Sequence, residues 1–362
     1  MDTELKIFPP GKYIKDELEK RGWTQSDLAY ILGRSIKDTN DIVGGKRKFT
    51  PEIAQELAVA FQNNPEYWLD IENRYRLAQV DYVDSAIIKR SEIYNKYPAK
   101  DMIKRGWVQE SDTVDSLEAK FTEFYSEADN FAFAARKSTS YLEHSPIQTA
   151  WIIRAKKMAR ILSVAEFDDR KIDELIRALR NLAASSKSTH KVAQTLANFG
   201  IRFVVVEQLP NARIDGAAFW LDDKSPVIAM SIRFDNIGSF WFTLFHEIIH
   251  IKHKDQFSLD DLDTTPIDEI EIRANREAAE VLIPQARLET FIRMTRPYYS
   301  ESKINNLATQ LKIHPGIIIG QLQHRKEISF NQHHKLMPKV RELAIKTALT
   351  DGWGQPVPYV VN

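Results

Sequence analysis

Through the first 78 residues the apolar positions recur at spacings of three and four, in short stretches closed by glycine. Ile14 and Leu18 mark a helix over Lys12–Arg21 that stops at Gly22. Thr24-Gln-Ser-Asp27 has the form of a capping box ahead of Leu28, Ala29, Ile31 and Leu32, and Gly33 closes that helix. Ser35 caps a third, with Ile36, Thr39, Ile42 and Val43 at helical spacing before Gly44-Gly45. Thr50-Pro51 opens a fourth. Two short helices joined by a tight glycine turn inside such a bundle predict a helix-turn-helix. From 79 to about 190 the pattern stays helical, over Ser116–Ala135, Pro146–Leu162 and Asp168–Ala183. After Gly200 it changes to strands: Ile201–Val206, then Ala217–Leu221 and Pro226–Ile232 across the turn Asp222-Asp-Lys-Ser-Pro226. An apolar run over Phe240–Ile251 and an amphipathic helix over Ile267–Pro284 follow, with two further helices at Ser302–Leu311 and Pro315–His324.

The expected fold is therefore mainly α with a small β-sheet, an α+β class. It divides into a helix-turn-helix bundle (1–78), a helical connecting region (79–190), a strand-and-helix core (191–300), a C-terminal helical region (301–351) and an irregular tail (352–362). Histidines 314, 324, 333 and 334 have no ligand spacing. The basic positions Arg154, Lys156, Lys157 and Arg160 on the Pro146–Leu162 helix read as a solvated face.

Composition narrows the chemistry. With 362 residues, 43% of them hydrophobic, the chain can build more than one core. Lys and Arg equal Asp and Glu at 50 each, so net charge gives no nucleic-acid signature by itself. There is no cysteine, which excludes disulfides and zinc–thiolate sites. No signal segment and no apolar run of about 18 residues is present, so a cytoplasmic protein without a membrane span is expected.

The run Phe240–His250 contains His246-Glu247-Ile-Ile-His250. Two histidines four apart on a helix lie on one face and can reach one tetrahedral zinc, with Glu247 placed to take a proton from a zinc-activated water. Nearly every neighbour is apolar, which predicts a buried helix. Burying two imidazoles and a carboxylate is costly without a partner, and a metal removes that cost. A third ligand is needed. Glu271, Ala274, Ala278 and Leu282 share one face of the following helix, and the alanines would let Glu271 approach the metal. Asp268, Glu269, Glu277, Glu280 and His253 compete for that role.

These residues resemble a known family. H-E-x-x-H followed by E-x-x-A-N-x-x-A-A-x-x-L-I-P is similar to the ImmA/IrrE metallopeptidases, and so are Asp215-Gly-Ala-Ala-Phe-Trp-Leu and Ser231-Ile-Arg-Phe-Asp-Asn. The resemblance implies Zn2+ held by His246, His250 and Glu271, with Glu247 as catalytic base. Glu277 stands where the family commonly has an aromatic. It also implies a zincin-like core in which an edge strand, Ala217–Leu221 or Val227–Ile232, holds an extended substrate. Tyr298, Tyr299 and His253 are candidates for stabilising the oxyanion.

The N-terminal region resembles the HigA-like branch of the Cro/C1 helix-turn-helix family. The resembling residues are Gly11-Lys-Tyr-Ile-Lys-Asp-Glu-Leu, Thr24-Gln25, Leu28-Ala29, Gly45-Lys46-Arg47, Thr50-Pro51-Glu52 and Pro65-Glu-Tyr-Trp68-Leu69. On that likeness Lys37, Thr39 and Asn40 would meet base edges of double-stranded DNA, Lys46, Arg47 and Lys48 would hold phosphates, and the protein would act as a homodimer. Residues 11–50 hold nine Lys/Arg against six Asp/Glu, only mildly basic, and a dimerisation or docking module is the competing reading.

The expected function is a zinc-dependent endopeptidase fused to a DNA-binding regulator, cleaving a repressor-type protein or itself. The alternative is a regulator or antitoxin-like protein whose peptidase fold binds or senses without proteolysis. Control is expected from cover of the cleft, by the 79–190 segment or by the tail, where Val357-Pro-Tyr-Val-Val361 could lie along an edge strand.

Overall fold

Helix caps decide where the first 80 residues turn. Thr24 accepts from the Asp27 N–H at 3.2 Å and the Asp27 carboxylate accepts from the Thr24 N–H at 2.7 Å, so the capping box is complete. The Ser35 hydroxyl accepts from the Asp38 N–H at 3.1 Å. Helices α1 (Pro10–Arg21), α2 (Gln25–Ile31), α3 (Ile36–Val43), α4 (Pro51–Phe61) and α5 (Pro65–Ala78) close around Ile14, Leu28, Ile42, Ile53, Phe61 and Trp68. A Cβ at Gly11 would lie 1.9 Å from the Val43 carbonyl oxygen, so only glycine lets α1 rest on the end of α3.

The protein is described from a computed structural model covering residues 7–80, 84–126, 145–255, 257–260 and 269–355. It forms two compact units, 1–88 and 89–362, and the division falls within α6 (Ser85–Lys96). Among the described residues no helix is long and apolar enough to cross a membrane.

The second unit is built on a five-stranded sheet in the order β4-β2-β3-β1-β5, with β1 Arg202–Val206, β2 Gly216–Trp220, β3 Pro226–Met230, β4 Phe257–Asp260 and β5 Leu349–Asp351. β1 runs parallel to β3 and β5, and β2 runs antiparallel to β3 and β4. Alternate residues face opposite sides. Phe203, Val205, Ala218 and Ile228 join a core with α10 (Ile172–Leu182), α11 (Val192–Asn198), α12 (Ile237–Lys252), α13 (Glu269–Leu282), α14 (Gln285–Thr295), α15 (Glu301–Leu311), α16 (Pro315–His324) and α17 (Arg341–Ile345). Val204, Val206, Ala217 and Phe219 face α7 (Ala99–Lys104), α8 (Val114–Tyr125) and α9 (Pro146–Arg160).

The structure adds to some expectations and corrects others. The expected helical connecting region packs on the sheet: α9 covers one face through Trp151, Ile153 and Met158, opposite the face that carries α12. The same segment also contributes α10, which packs with α12 in the core on the other face. The basic run on α9 is only partly a solvated face: Arg160 is exposed and Lys157 half-buried, whereas Arg154 and Lys156 are only 5% and 7% exposed. Neither β2 nor β3 is an edge strand, since β4 pairs along β2. The C-terminal helical region ends in a strand, β5, and the tail begins with an anchored turn. Trp353 donates its backbone N–H to Glu207 Oε2 and its indole N–H to the Ser231 carbonyl, both at 2.8 Å, and Arg341 stacks 3.6 Å from its ring centre. The tail residues expected to mimic substrate, 357–361, lie outside the described residues.

The burial of Arg154 has a cause in β5. The fully buried Asp351 carboxylate accepts from Arg154 Nε at 2.5 Å, the Trp107 indole at 2.8 Å and Arg105 Nη2 at 3.1 Å. Removing one partner of a buried ion pair strands the other charge in a medium that solvates it poorly. Asp351→Ala should therefore lower stability by about 3–5 kcal/mol. Urea unfolding followed by tryptophan fluorescence measures this, and a loss well under 1 kcal/mol would contradict it.

Candidate metal centre and nucleic-acid surface

Helix α12 begins at Asn236, whose side chain accepts from the Ser239 N–H at 2.9 Å. Phe240, Trp241, Leu244, Phe245, Ile248 and Ile249 then bury it on all sides. The helix carries His246, Glu247 and His250 inward with it, and none of the three exposes any surface. α13 packs against α12 through Ala274 and Ala278, both buried. That close approach brings Glu271 to the histidines: its Oε2 lies 3.0 Å from His246 Nε2 and its Oε1 3.6 Å from His250 Nε2. Ligand atoms of His246, His250 and Glu271 all lie within 4.8 Å of one another.

The outer nitrogens of both rings are occupied. His246 Nδ1 lies 3.0 Å from Asn275 Oδ1, one turn beyond Glu271 on α13. His250 Nδ1 lies 2.8 Å from Asp255 Oδ2, which also accepts from Arg273 Nη2 at 2.5 Å. Hydrogen on each Nδ1 leaves the two Nε2 lone pairs facing each other at 2.8 Å. That opposition is relieved by a proton on one Nε2 or by a cation bound to both. Two imidazoles and a carboxylate, each imidazole backed by an oxygen acceptor, are a set of donors that could hold a metal ion such as zinc. The residues present fit that ion.

The electrostatics favour positive charge at this centre. Burial pushes the Glu271 carboxyl up, but hydrogen bonds from His246 and His250 outweigh it and hold the group well below the usual carboxylate range. Burial pushes His250 down, and Asp255 and Glu271 outweigh that, leaving it above its ordinary value. Asp255 is likewise raised by burial and lowered more by His250 and Arg273.

Glu247 lies beside the donor set against the start of β2. A Cβ at Gly216 would come within 2.4 Å of Glu247 Oε1 and 2.8 Å of Thr243 Cγ2, so a side chain there would push the carboxylate aside. Asp215 fixes this end of β2 through paired bonds from Arg233, 2.7 and 2.8 Å.

The competing ligands fall away. Glu277 is paired with His253 at 3.0 Å, and Glu280 accepts from the Gln285 N–H at 2.9 Å. Glu269 is exposed, and Asp268 lies outside the described residues. Of the oxyanion candidates, Tyr299 donates to Glu327 at 2.6 Å, His253 is held by Glu277, and Tyr298 is exposed. Asp255, Arg273, Asn275 and Gly216 gained their roles only from the structure. Asp255→Ala should weaken zinc binding roughly 10–100-fold, because His250 loses its orienting acceptor. Competition with a chromophoric chelator measures it, and unchanged affinity would remove Asp255 from the centre.

In the N-terminal unit Lys37, Asn40, Lys46, Arg47 and Lys48 are all exposed. Arg47 Nη1 lies 3.5 Å from Asp38 Oδ1 at the edge of that surface. Thr39 is corrected: it is fully buried beside Ile42 and Val43 on the inner face of α3 and cannot meet a base.

Residues 198–332 match the family described as the IrrE N-terminal-like domain, Peptidase_M78. The chain is 35% identical over 72 residues to virulence-associated protein A' of Dichelobacter nodosus, covering 20% of this chain and 63% of that protein. It is 27% identical over 82 residues to the uncharacterized HTH-type transcriptional regulator YddM of Escherichia coli K12, 22% of this chain and 87% of that protein. It is 33% identical over 73 residues to an uncharacterized HTH-type transcriptional regulator of Haemophilus influenzae, 20% of this chain and 68% of that protein. The match thus spans less than two thirds of the Dichelobacter protein.

Proposed function

The chain belongs with the HTH-type transcriptional regulators in its N-terminal part and carries an IrrE N-terminal-like domain over residues 198–332, and from that premise we propose that it is a zinc-dependent endopeptidase coupled to a DNA-binding regulator. The observation that carries this reading is the convergence of His246 Nε2, His250 Nε2 and the Glu271 carboxylate beside Glu247. Zinc bound there supplies Lewis acidity toward a scissile carbonyl and lowers the pKa of water. Asn275 and Asp255 hold the two imidazoles in the tautomer that presents Nε2. Glu247 takes the proton of the attacking water and returns it to the leaving amine. Its burial against Gly216 keeps the carboxylate aimed and excludes bulk solvent.

The substrate is a repressor-type protein, either a separate chain or another copy of this one. Elemental analysis, with incubation of the purified full chain and a DNA-binding repressor followed by mass spectrometry, tests the reading. One zinc per chain and a defined cut are expected; no zinc would end it. The second reading, a regulator that senses without cutting, draws on the full burial of His246, Glu247 and His250 in this conformation.

For the N-terminal unit, a homodimer on a pseudo-palindromic double-stranded site follows from the helix-turn-helix. In the full chain, Lys46→Ala should weaken binding to all duplexes and lower the salt slope by about 1, while Asn40→Ala should cost about 1–3 kcal/mol at one base position and relax preference there. Mobility shifts across a salt series separate the two. Equal effects on every sequence from both variants would place Asn40 off the bases.

A further inference from the structure

A peptidase that holds its substrate as an added strand needs an open sheet edge beside its metal-binding helix. β2 is the strand that passes the proposed base, with Gly216 against the Glu247 carboxylate. One edge of β2 pairs with β3. The other is taken by β4: Gly216 lies opposite Asp260, Ala217 opposite Leu259, Ala218 opposite Ser258 and Phe219 opposite Phe257. Each main-chain N–H and C=O on that edge serves one ladder at a time, so an added peptide along Gly216–Phe219 and β4 exclude each other.

Three further observations bear on β4. It is four residues long and, among the described residues, outermost in the sheet with a single neighbouring strand. Short outer strands open locally at low free-energy cost compared with the interior of a sheet. It lies in the chain between His250 and Glu271, outside both helices that carry the proposed ligands. Its N-terminal approach is pinned where the Trp220 indole donates to the Asp255 carbonyl at 3.0 Å, which ties the strap's root to the residue that orients His250.

The geometry points to β4 as an internal occupant of the substrate edge: we propose that residues 257–260 are an autoinhibitory strap, displaced by an extended polypeptide that pairs with Gly216–Phe219 in its place. The inference rests on the metal-peptidase reading above, and it assigns control to a strand inside the unit that holds the metal centre.

The absence of cysteine makes a clean test possible. The full-length double variant Ala218→Cys/Ser258→Cys places thiols on directly opposed residues, whose Cα separation of about 4.5–5.5 Å suits a disulfide. Zinc content is measured first and reports separately on the metal reading. Binding of a dipeptide hydroxamate, a zinc-chelating peptide probe, is then compared in oxidised and reduced protein. Locking β4 in place lowers the fraction of open protein, so binding should weaken on the order of tenfold or more when oxidised and recover on reduction. Equal binding in both states, with zinc present and the cross-link confirmed by mass, overturns the strap.

A second variant works in the opposite direction. Alternate residues of a strand direct their N–H groups to opposite edges, so Ser258→Pro/Leu259→Pro removes any N–H of the pair that bonds to β2. This variant should bind the probe more tightly than the unaltered chain. Weaker binding at full zinc content, or no binding by any of the zinc-loaded proteins, also overturns the proposal. A chain without zinc defeats the metal reading instead.

Discussion

Replacing Glu247 by glutamine should cut cleavage of a repressor substrate by about 10²–10⁴-fold while zinc content stays at the level of the unaltered chain. Glutamine has the shape of glutamate, so it fits the space between Thr243 and the Gly216 main chain, where a Cβ would already collide at 2.4 Å. What it lacks is a basic oxygen able to take and return a proton. His246, His250 and Glu271 keep their mutual geometry, since Glu247 is outside that set of donors. Cleavage at an undiminished rate would place the base elsewhere. Loss of zinc would make Glu247 part of the ion's shell, a different site from the one described here.

Replacing His246 by alanine should abolish stoichiometric zinc, a larger effect than the roughly 10–100-fold expected from residues behind the ligands. Its Nε2 is central to the cluster, 2.8 Å from His250 Nε2 and 3.0 Å from Glu271 Oε2. Glu271→Gln should lose zinc as well, because the anionic partner of two imidazoles disappears. Glu277→Gln should not, since Glu277 is engaged with His253. Elemental analysis of the three purified variants decides this. Retention by Glu271→Gln together with loss by Glu277→Gln would exchange the two carboxylates.

The grouping of His246, His250 and Glu271 was legible because its determinants are local. His246 and His250 are four apart on one helix, and Glu271 shares a face with the small residues Ala274 and Ala278. Asp255 left no such signal. It lies past the end of α12 and reaches His250 only because the chain folds back at that point. Gly216 read as one glycine in a strand, and its contact with Glu247 depends on how β2 packs on α12.

Arg154 and Lys156 read as solvated because charges are seldom buried, and Asp351, the carboxylate that pairs with Arg154, is 197 residues further along. Thr39 read as a polar contact, yet it falls on the inner face of α3 with Ile42 and Val43. β4 and β5 escaped notice because four and three residues are too few for a period to show. Missing β4 made β2 look like an edge, and that one omission misplaced the substrate shelf.

The pairing of β1 with β5 has a consequence for the order of events at the ribosome. Val204–Val206 must wait for Leu349–Asp351 before their outer edge is satisfied, and Arg154 must wait for the same strand before its charge is met. Synthesis proceeds at about 5–20 residues per second and domains fold as they emerge. The helix-turn-helix unit can thus reach its native state while the sheet beneath the metal centre still lacks a strand. A nascent or prematurely terminated chain would carry a finished N-terminal unit and an unfinished second one, so protein synthesis itself separates the completion of the two in time.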